Sequence, residues 1–452
     1  MARINVAVNK NPIFTHEGAK ASHINPEQQL RRSVMSCMLW EREFYEDGES
    51  IADRIKKNIP LVKAETVASI AIEAREKMKL RHVPLLIVRE MARLNTHKHL
   101  VASTLERIIQ RADELSEFVS IYWKEGKQPL SAQVKKGLAR AFVKFDEHSL
   151  AKYNRDNQVK LRDVIFLCHA KPKDGIKGYT KEARKNGMPR PKDSGSQLYG
   201  NLVYCTLAIP ETWEVLLSSG ADKKETFERL IREKKLGGMA FLRNLRGMKE
   251  AGVSEEIIFT GLSEIKTDRI LPFRFIAAAR YAPQWEGVIE IAMMKCLKGK
   301  NTIKGKTTLL IDVSGSMDSA ISMKSELLRI DAACGLAILL REVCEDVEIY
   351  SFSNQLKQVP ARRGFALRDA IVNSQPHQST YLAEALRIIP HHERLILVTD
   401  EQSHDDVPNP KIDKAYMINV AIAKNGVGYG AWMHIDGWSE AVIDYITEIE
   451  NE

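Results

Sequence analysis

The distribution of apolar side chains predicts helices from residue 27 to about residue 300. In PEQQLRRSVMSCMLWEREFY, residues such as Leu30, Val34 and Met38 recur at the three- to four-residue spacing of one helix face. The same spacing continues in AETVASIAIEAREKM, VPLLIVREMARL, LVASTLERIIQRADELSEFVSIYW, SAQVKKGLARAFVKF and SEEIIFTGLSEI. Pro, Gly or Asn-rich turns separate these runs. A long succession of such helices is typical of an α-solenoid, although no fixed repeat period is visible.

The pattern changes near residue 301. Short apolar, β-branched runs (TTLLIDV, VEIYSFS, RLILVTD and KAYMINVAI) alternate with the helical runs MKSELLRIDAACGLAILLREVC, TYLAEALRII and WSEAVIDYITEIE. Buried strands alternating with helices predict a doubly wound, mostly parallel α/β sheet. The sequence therefore predicts two domains, residues 1–300 and residues 301–452, and ligands in the second domain are expected at the carboxyl ends of its strands.

Charge is divided unevenly between these two parts. Of the 67 Lys+Arg and 59 Asp+Glu residues, 14 and 22 lie in residues 301–452, which leaves 53 and 37 in residues 1–300. A basic excess on a large domain is typical of a protein with a polyanionic partner, and a solvated Lys-rich surface is the simpler alternative. The six cysteines form no CxxC pair, and the start lacks the apolar run of a signal peptide. The expected location is therefore the reducing cytoplasm.

One long segment, residues 171–193, fits neither pattern. It reads KPKDGIKGYTKEARKNGMPRPKD and holds eight basic and three acidic residues with interspersed Gly and Pro. Such a composition buries no core and predicts a basic surface loop. A solvated charge run is the ordinary interpretation, but the loop directly follows the helical run LRDVIFLCHA. It is therefore placed where it could complete a basic groove.

The stretch LLIDVSGSMDSAI raises the question of a metal site. Asp312, Ser314 and Ser316 follow an apolar strand, Thr380 lies in HQSTYLAEAL, and Asp400 ends the strand LILVTD. Carboxylate and hydroxyl oxygens are ligands that suit a hard cation such as Mg²⁺. The alternative is a tight turn in which Ser or Asp caps the next helix.

These residues resemble the metal-ion-dependent adhesion site of von Willebrand factor A domains. IDVSGSM matches the DxSxS element, Thr380 with Ala385 and Leu386 matches the threonine loop, and VTD matches the last element. In one departure, QST stands where many members have Gly-Gly-Thr. The resemblance implies a divalent ion, most simply Mg²⁺, held by Asp312, Ser314, Ser316, Thr380 and Asp400, and an acidic ligand at that ion. Some members of the family keep the fold without an ion.

The helical part, taken with this domain, resembles the TROVE family, which includes the Ro autoantigen and its bacterial and phage relatives. The matching stretches, in order, are KKGLARAFVKF, LRDVIFLCHAKP, GGMAFLRNLRGM and RILPFRFIAAARY. The resemblance implies HEAT-like helices in a ring closed by the A domain. It also implies binding of Y RNA on the outside and of single-stranded ends of misfolded RNA in the hole. Bacterial members act beside exoribonucleases such as polynucleotide phosphorylase and are not themselves catalytic.

The cationic residues give this expectation a physical basis, because phosphate binding needs grouped Lys and Arg side chains. Lys136, Arg140 and Lys144 recur at i, i+4 and i+8 and predict a ridge on one helix face. Arg243 and Arg246 are expected in the hole, with an ordinary helix exterior as the alternative. His169 is expected in the RNA site, with a core histidine as the alternative. The remaining candidate residues are Lys135, Lys171, Lys173, Arg184 and Lys185.

The sequence thus favours an RNA-binding ribonucleoprotein scaffold with no enzymatic activity. A metal-dependent protein-interaction module is one alternative. A metal-dependent hydrolase is a weaker one, because the chain has no second carboxylate cluster, Walker A loop or Ser/His/Asp signature. Steep salt dependence of RNA binding favours the scaffold, whereas salt-insensitive protein capture abolished by EDTA favours the interaction module.

Overall fold

The computed structural model describes most of the chain. The described residues are 12–34, 48–154, 157–171, 197–208, 210–267, 270, 272–296, 302–321, 327–390, 392–421 and 423–437, with 442, 446 and 450. They form two compact units: Asp53–Leu236 forms one, and the described residues up to Ala52 join those from Gly237 onward in the other. Among the described helices, none combines the length and apolar character needed to cross a membrane.

Helices make up most of the described chain before residue 300, as predicted. They are α1 (Pro26–Val34), α2 (Gly48–Asn58), α3 (Ala64–Glu76), α4 (His82–Arg93), α5 (Val101–Ile108), α6 (Asp113–Tyr122), α7 (Ala132–Phe142), α8 (Glu147–Tyr153), α9 (Leu161–Cys168), α10 (Gln197–Val203), α11 (Trp213–Ser218), α12 (Lys223–Arg232), α13 (Gly238–Glu250), α14 (Glu255–Glu264), α15 (Pro272–Tyr281) and α16 (Glu286–Cys296). Neighbouring helices pack together, for example α3 on α4 and α5 on α7. Solenoid stacking of the whole array stays a prediction.

Side-chain caps explain where several of these helices begin. Ser131, Asp146, Thr212 and Asp222 each accept a hydrogen bond from a backbone N–H of the first turn of α7, α8, α11 and α12, respectively. Those first-turn N–H groups have no partner within the helix, so the side-chain oxygen satisfies one of them. The helix starts are therefore fixed locally by the sequence.

A six-stranded sheet follows, as the alternation of strands and helices predicts. Its strands are β3 (Ile303–Asp312), β4 (Cys344–Phe352), β5 (Leu356–Val359), β6 (Arg394–Thr399), β7 (Ala415–Asn419) and β8 (Met433–Asp436). Their spatial order is β5-β4-β3-β6-β7-β8, with every pair parallel except β4 and β5. The strand order reverses between β3 and β6, and in open α/β sheets that is the point where ligands bind.

Helices cover the sheet, whose central strands are buried on both faces. The intervening helices are α17 (Arg329–Val343), α18 (Gly364–Val372) and α19 (Leu382–Ile388). Leu310, Tyr350 and Leu397 share a core with Leu382 and Ala385 of α19. Helix α17 contacts β3, β4 and β6. This burial explains why the strands are continuous apolar runs rather than alternating ones.

The predicted boundary between residues 300 and 301 lies just before β3. The compact unit that contains β3 also includes α13 to α16 and the described residues up to Ala52. The predicted domain division itself stays a prediction. The predicted closing helix lies mostly outside the described residues.

The N-terminal segment is attached to the sheet unit, which the sequence did not suggest. A short hairpin, β1 (Ile13–Phe14) and β2 (Lys20–Ala21), precedes α1. The Thr15 hydroxyl donates to the Ser403 carbonyl at 3.0 Å, and the His16 N–H donates to the Gln402 side chain at 2.7 Å. These contacts fix the hairpin against the segment that follows β6.

A buried ion pair completes this attachment. Arg32 and Glu401, both fully buried, form a salt bridge, and the Arg32 Nε also donates to the Ala423 carbonyl at 2.6 Å. A Cβ at Gly426 or Gly428 would overlap the Glu401 carboxylate, so glycine is required at both positions. Removing one partner of a buried pair leaves the other charge without compensation, which is costly.

Replacement of Arg32 by Met should therefore lower the free energy of unfolding by about 3–5 kcal/mol. The adjacent Arg31, which pairs with Glu27 in an i,i+4 contact of 3.5 Å at the surface, provides the control, and Arg31→Met should cost less than about 1 kcal/mol. Equilibrium urea denaturation of the three proteins measures the difference. Equal losses for the two variants would contradict the importance of the buried pair.

His434 extends the same cluster and makes it sensitive to pH. Its ring lies between carboxylates, with Nε2 on Glu401 and Nδ1 at 3.4 Å from Asp436. Burial lowers the pKa of His434, but Asp436 and Glu401 outweigh burial and raise that pKa to about 9. The protonated form is therefore stabilised in the folded state.

Because the folded-state pKa of His434 exceeds the ordinary value near 6.5, its stabilisation is complete below about pH 6.5 and is lost as the pH rises through about 9. The loss should be about 3 kcal/mol. Urea denaturation at pH 6 and pH 9.5 measures it, and His434→Gln should remove most of the difference. The exposed His23 gives the matched control, since His23→Gln should leave the difference in place.

Candidate functional site

The carboxyl ends of β3 and β6 bring together four of the five predicted metal ligands. Asp312 ends β3, and its Oδ1 accepts from the Ser314 N–H at 2.9 Å. Asp400 directly follows β6, and its Oδ2 accepts from the Ser316 hydroxyl at 2.6 Å. The Ser314 and Ser316 hydroxyl oxygens lie 3.3 Å apart. These groups are adjacent because β3 and β6 are parallel neighbours.

Thr380, the fifth predicted ligand, lies in a loop that is bonded to the same turn. The Gly315 N–H donates to the Gln378 carbonyl at 2.8 Å, which joins the two loops. Thr380 is buried, and its backbone N–H and carbonyl bond to the side chain and the N–H of His404. The backbone of Thr380 is thus fixed beside the site.

The two carboxylates are fully buried, and this governs their electrostatics. Burial and the neighbouring Asp400 raise the pKa of Asp312 to about 7, while hydrogen bonds from Ser314 and Thr399 lower it in part. The Thr399 hydroxyl donates to the Asp312 Oδ2 at 2.6 Å. A cation between two buried carboxylates would relieve this repulsion.

The donor set fits a hard divalent cation. Carboxylates and hydroxyls supply only oxygen ligands, the chemistry that Mg²⁺ prefers, and water would complete the coordination. The described part of the chain contains no group of three or more His, Cys, Asp or Glu side chains arranged to hold a metal. An ion at this site would therefore rely on the serine and threonine hydroxyls as well as on Asp312 and Asp400.

Sequence reasoning missed one residue here, Arg329. Its Nη1 lies 3.4 Å from the Asp400 Oδ2 and 3.3 Å from the Ser316 carbonyl. It is the first residue of α17, where a basic side chain is disfavoured by the helix dipole. This signal was not visible in the sequence, because the predicted helical run MKSELLRIDAACGLAILLREVC begins before Arg329.

The predicted RNA-binding residues that can be described lie in both compact units. Lys135, Lys136, Arg140 and Lys144 are on or just after α7, His169 and Lys171 follow α9, and Arg243 and Arg246 are on α13. Lys173, Arg184 and Lys185 lie outside the described residues, as does the predicted basic loop after Lys171.

The predicted ridge on α7 divides into two groups. Lys136 is exposed and Lys135 is partly exposed, and neither forms an ion pair with any residue that the structure describes. Arg140 pairs with Glu106 at 3.4 Å, and the Lys144 ammonium donates to the Glu106 and Ile109 carbonyls at the end of α5. Arg140 and Lys144 thus have structural contacts that their spacing did not reveal.

His169 and Lys171 are both exposed, so the interpretation of His169 as a core histidine does not hold. His169 follows α9 in the left-handed conformation, with φ of 54°. That conformation ends the helix and leaves the imidazole at the surface. Helix α9 also contacts α7.

On α13, Arg243 and Arg246 are exposed, and Arg246 pairs with Glu250 at 3.4 Å. Sequence reasoning missed Arg274 on α15, a helix that contacts α13. The Arg274 guanidinium lies 5.2 Å from the centre of the Phe273 ring. Although Arg274 is exposed, partial desolvation by the surrounding protein and the nearby Arg243 lower the pKa of Arg274, as expected for two cations close together.

Comparison with known proteins gives similarities of three kinds. Residues 203–282 match the TROVE domain family. Telomerase protein component 1 of Rattus norvegicus is 24% identical over 47% of this chain, and the aligned region spans about 11% of that protein. The crystal structure of the Ro protein of Deinococcus radiodurans superposes with a TM-score of 0.60 at 15% identity, covering 94% of this chain and 99% of the bacterial protein.

The structural similarity and the family match cover different lengths of the chain. The structural similarity extends over nearly the whole chain, and the family match covers α11 to α15. The sequence match to the TROVE domain family therefore concerns residues 203–282, and the structural similarity shows the fold.

Proposed function

We propose that this protein binds RNA through exposed cations of its helices and acts as a ribonucleoprotein scaffold without catalysis of its own. The main support is the group Lys135, Lys136, His169 and Lys171 on the contacting helices α7 and α9. Within the described residues, these side chains form no ion pair, so they are available to phosphates. The TROVE match in residues 203–282 supports the same function.

The proposal extends to the kind of RNA. Small noncoding, Y-like RNA and single-stranded ends of misfolded RNA are the proposed ligands, in a cytoplasmic quality-control role beside an exoribonuclease such as polynucleotide phosphorylase. Contacts to phosphates position an RNA but carry no sequence information. Recognition through such cations would therefore depend on RNA shape and on accessible single strands.

Replacement of both Lys135 and Lys136 by Ala should weaken RNA binding and reduce the slope of log affinity against log salt by roughly 1.5, since two phosphate contacts are lost. The probe is a hairpin RNA with a single-stranded tail, titrated at several KCl concentrations. Lys223 and Lys224, which are adjacent and both exposed on a helix of the same unit, provide the control. If both double variants reduce the slope equally, the α7 surface has no special role.

We also propose that Asp312, Ser314, Ser316, Thr380 and Asp400 hold a divalent cation, most simply Mg²⁺, in a von Willebrand factor A-like domain. The support is the buried carboxylate pair with two serine hydroxyls beside it. When bound, the ion would offer a coordination position to an acidic group of a partner. The chain's own residues would fix its place, because Asp312 and Asp400 terminate adjacent strands.

Mg²⁺ should raise the melting temperature of the protein. At a concentration 100 times the dissociation constant, its binding should add about 2.7 kcal/mol to the free energy of unfolding. Asp312→Asn should abolish this increase and leave RNA affinity unchanged. Asp318→Asn is the control, since this more exposed carboxylate bonds to His377 rather than to the site. Thermal denaturation with Mg²⁺ or EDTA provides the measurement. A full Mg²⁺ effect in the Asp312 variant would exclude the proposed ligands.

A further inference from the structure

The Arg329 guanidinium places a positive charge inside the proposed cation site. Its side chain is 3% exposed, and Nη1 lies 3.4 Å from the Asp400 Oδ2. The same nitrogen donates to the Ser316 carbonyl at 3.3 Å. The guanidinium therefore contacts two residues that the proposed site uses.

The backbone fixes Arg329 in this position. Its N–H donates to the Ser319 carbonyl at 3.0 Å, and the Ile321 N–H donates to the Leu327 carbonyl at 2.8 Å. These bonds hold the start of α17 beside the turn that follows Ser316. The main-chain bonds thus fix the position of the Arg329 backbone, and the buried side chain extends from there to Asp400.

The Arg329 guanidinium and a divalent ion would compete for the same two carboxylates, those of Asp312 and Asp400. Asp312 and Asp400 carry at most two negative charges, and the Arg329 guanidinium already compensates one of them. A divalent ion would add two positive charges close to this fixed cation. Electrostatic interactions are strong where water is excluded, so the guanidinium and the ion oppose each other.

We propose that Arg329 is an internal counter-ion that weakens divalent-cation binding at the Asp312–Asp400 site. The inference rests on the proposed cation site and adds a residue that sets its affinity. Arg329 keeps the carboxylates compensated when no ion is present, and ion binding must displace or oppose its charge. Without the Arg329 charge, the same oxygen ligands would therefore bind a divalent ion more tightly than they do with Arg329 in place.

The test compares wild type with Arg329→Gln and Arg329→Lys, using Mg²⁺ and Mn²⁺ alone as probes. Isothermal titration calorimetry gives the Mg²⁺ affinity, and electron paramagnetic resonance gives the fraction of free Mn²⁺. Arg329→Gln should bind both ions about tenfold or more tightly, because it removes the charge and keeps a polar side chain. Arg329→Lys should stay close to wild type. Equal or weaker binding by Arg329→Gln overturns the proposal.

Arg280 provides the matched control. It forms a salt bridge with Asp331, two residues beyond Arg329 on the same helix, so Arg280→Gln removes a nearby guanidinium that pairs with a different carboxylate. Its ion affinity should equal that of wild type. An equal gain in Arg280→Gln and Arg329→Gln would assign the effect to net charge and overturn the specific role of Arg329.

Arg329→Gln removes the guanidinium that contacts Asp400 and is expected to be destabilised when no metal is present. A second readout therefore follows its melting temperature. Millimolar Mg²⁺ should restore this temperature more than it raises that of wild type, whereas NaCl of equal ionic strength should not. Failure of Mg²⁺ to restore it overturns the proposal. If wild type, Arg329→Gln and Arg329→Lys all bind no ion, the proposed cation site itself is wrong. If wild type and Arg329→Gln bind the ion equally well, only the proposed role of Arg329 is overturned.

Discussion

Two buried carboxylates at the ends of neighbouring parallel strands are the constraint on which the sheet unit depends. Asp312 and Asp400 end up close together because β3 and β6 pair at the point where the strand order reverses. Buried charges are costly unless they are compensated and hydrogen-bonded. Hydrogen bonds from Ser314, Ser316 and Thr399 to these carboxylates offset part of the cost.

The positive charges that compensate the buried carboxylates come from segments that are distant in sequence. Asp400 and Glu401 are consecutive, both are buried, and each pairs with a different buried arginine, Arg329 or Arg32. Glu401 has φ of 61°, a conformation rare for residues other than glycine. This backbone conformation occurs where the consecutive side chains of Asp400 and Glu401 pair with two different arginines. Consequently, the N-terminal helix α1 is coupled to the loop that carries the candidate site.

The cations of the helical region show how tertiary contacts select among residues that look alike in sequence. Lys136, Arg140 and Lys144 share one helical spacing, yet only Lys136 lacks a partner among the described residues. Lys144 instead satisfies carbonyls at the end of α5, groups that a helix leaves without internal partners. A basic ridge in a sequence is therefore a set of candidates, and packing decides which of them can reach a phosphate.

The sequence by itself determined the helices, the α/β sheet and the position of Asp312 and Asp400 at strand ends, because apolar periodicity and caps act over a few residues. Only the tertiary structure decided that Arg329 and Arg32 serve these acidic residues, that Lys144 is engaged, and that Arg274 lies near Arg243. Such pairings join residues up to several hundred positions apart. No local pattern encodes them, since they depend on which strands and helices become neighbours after folding.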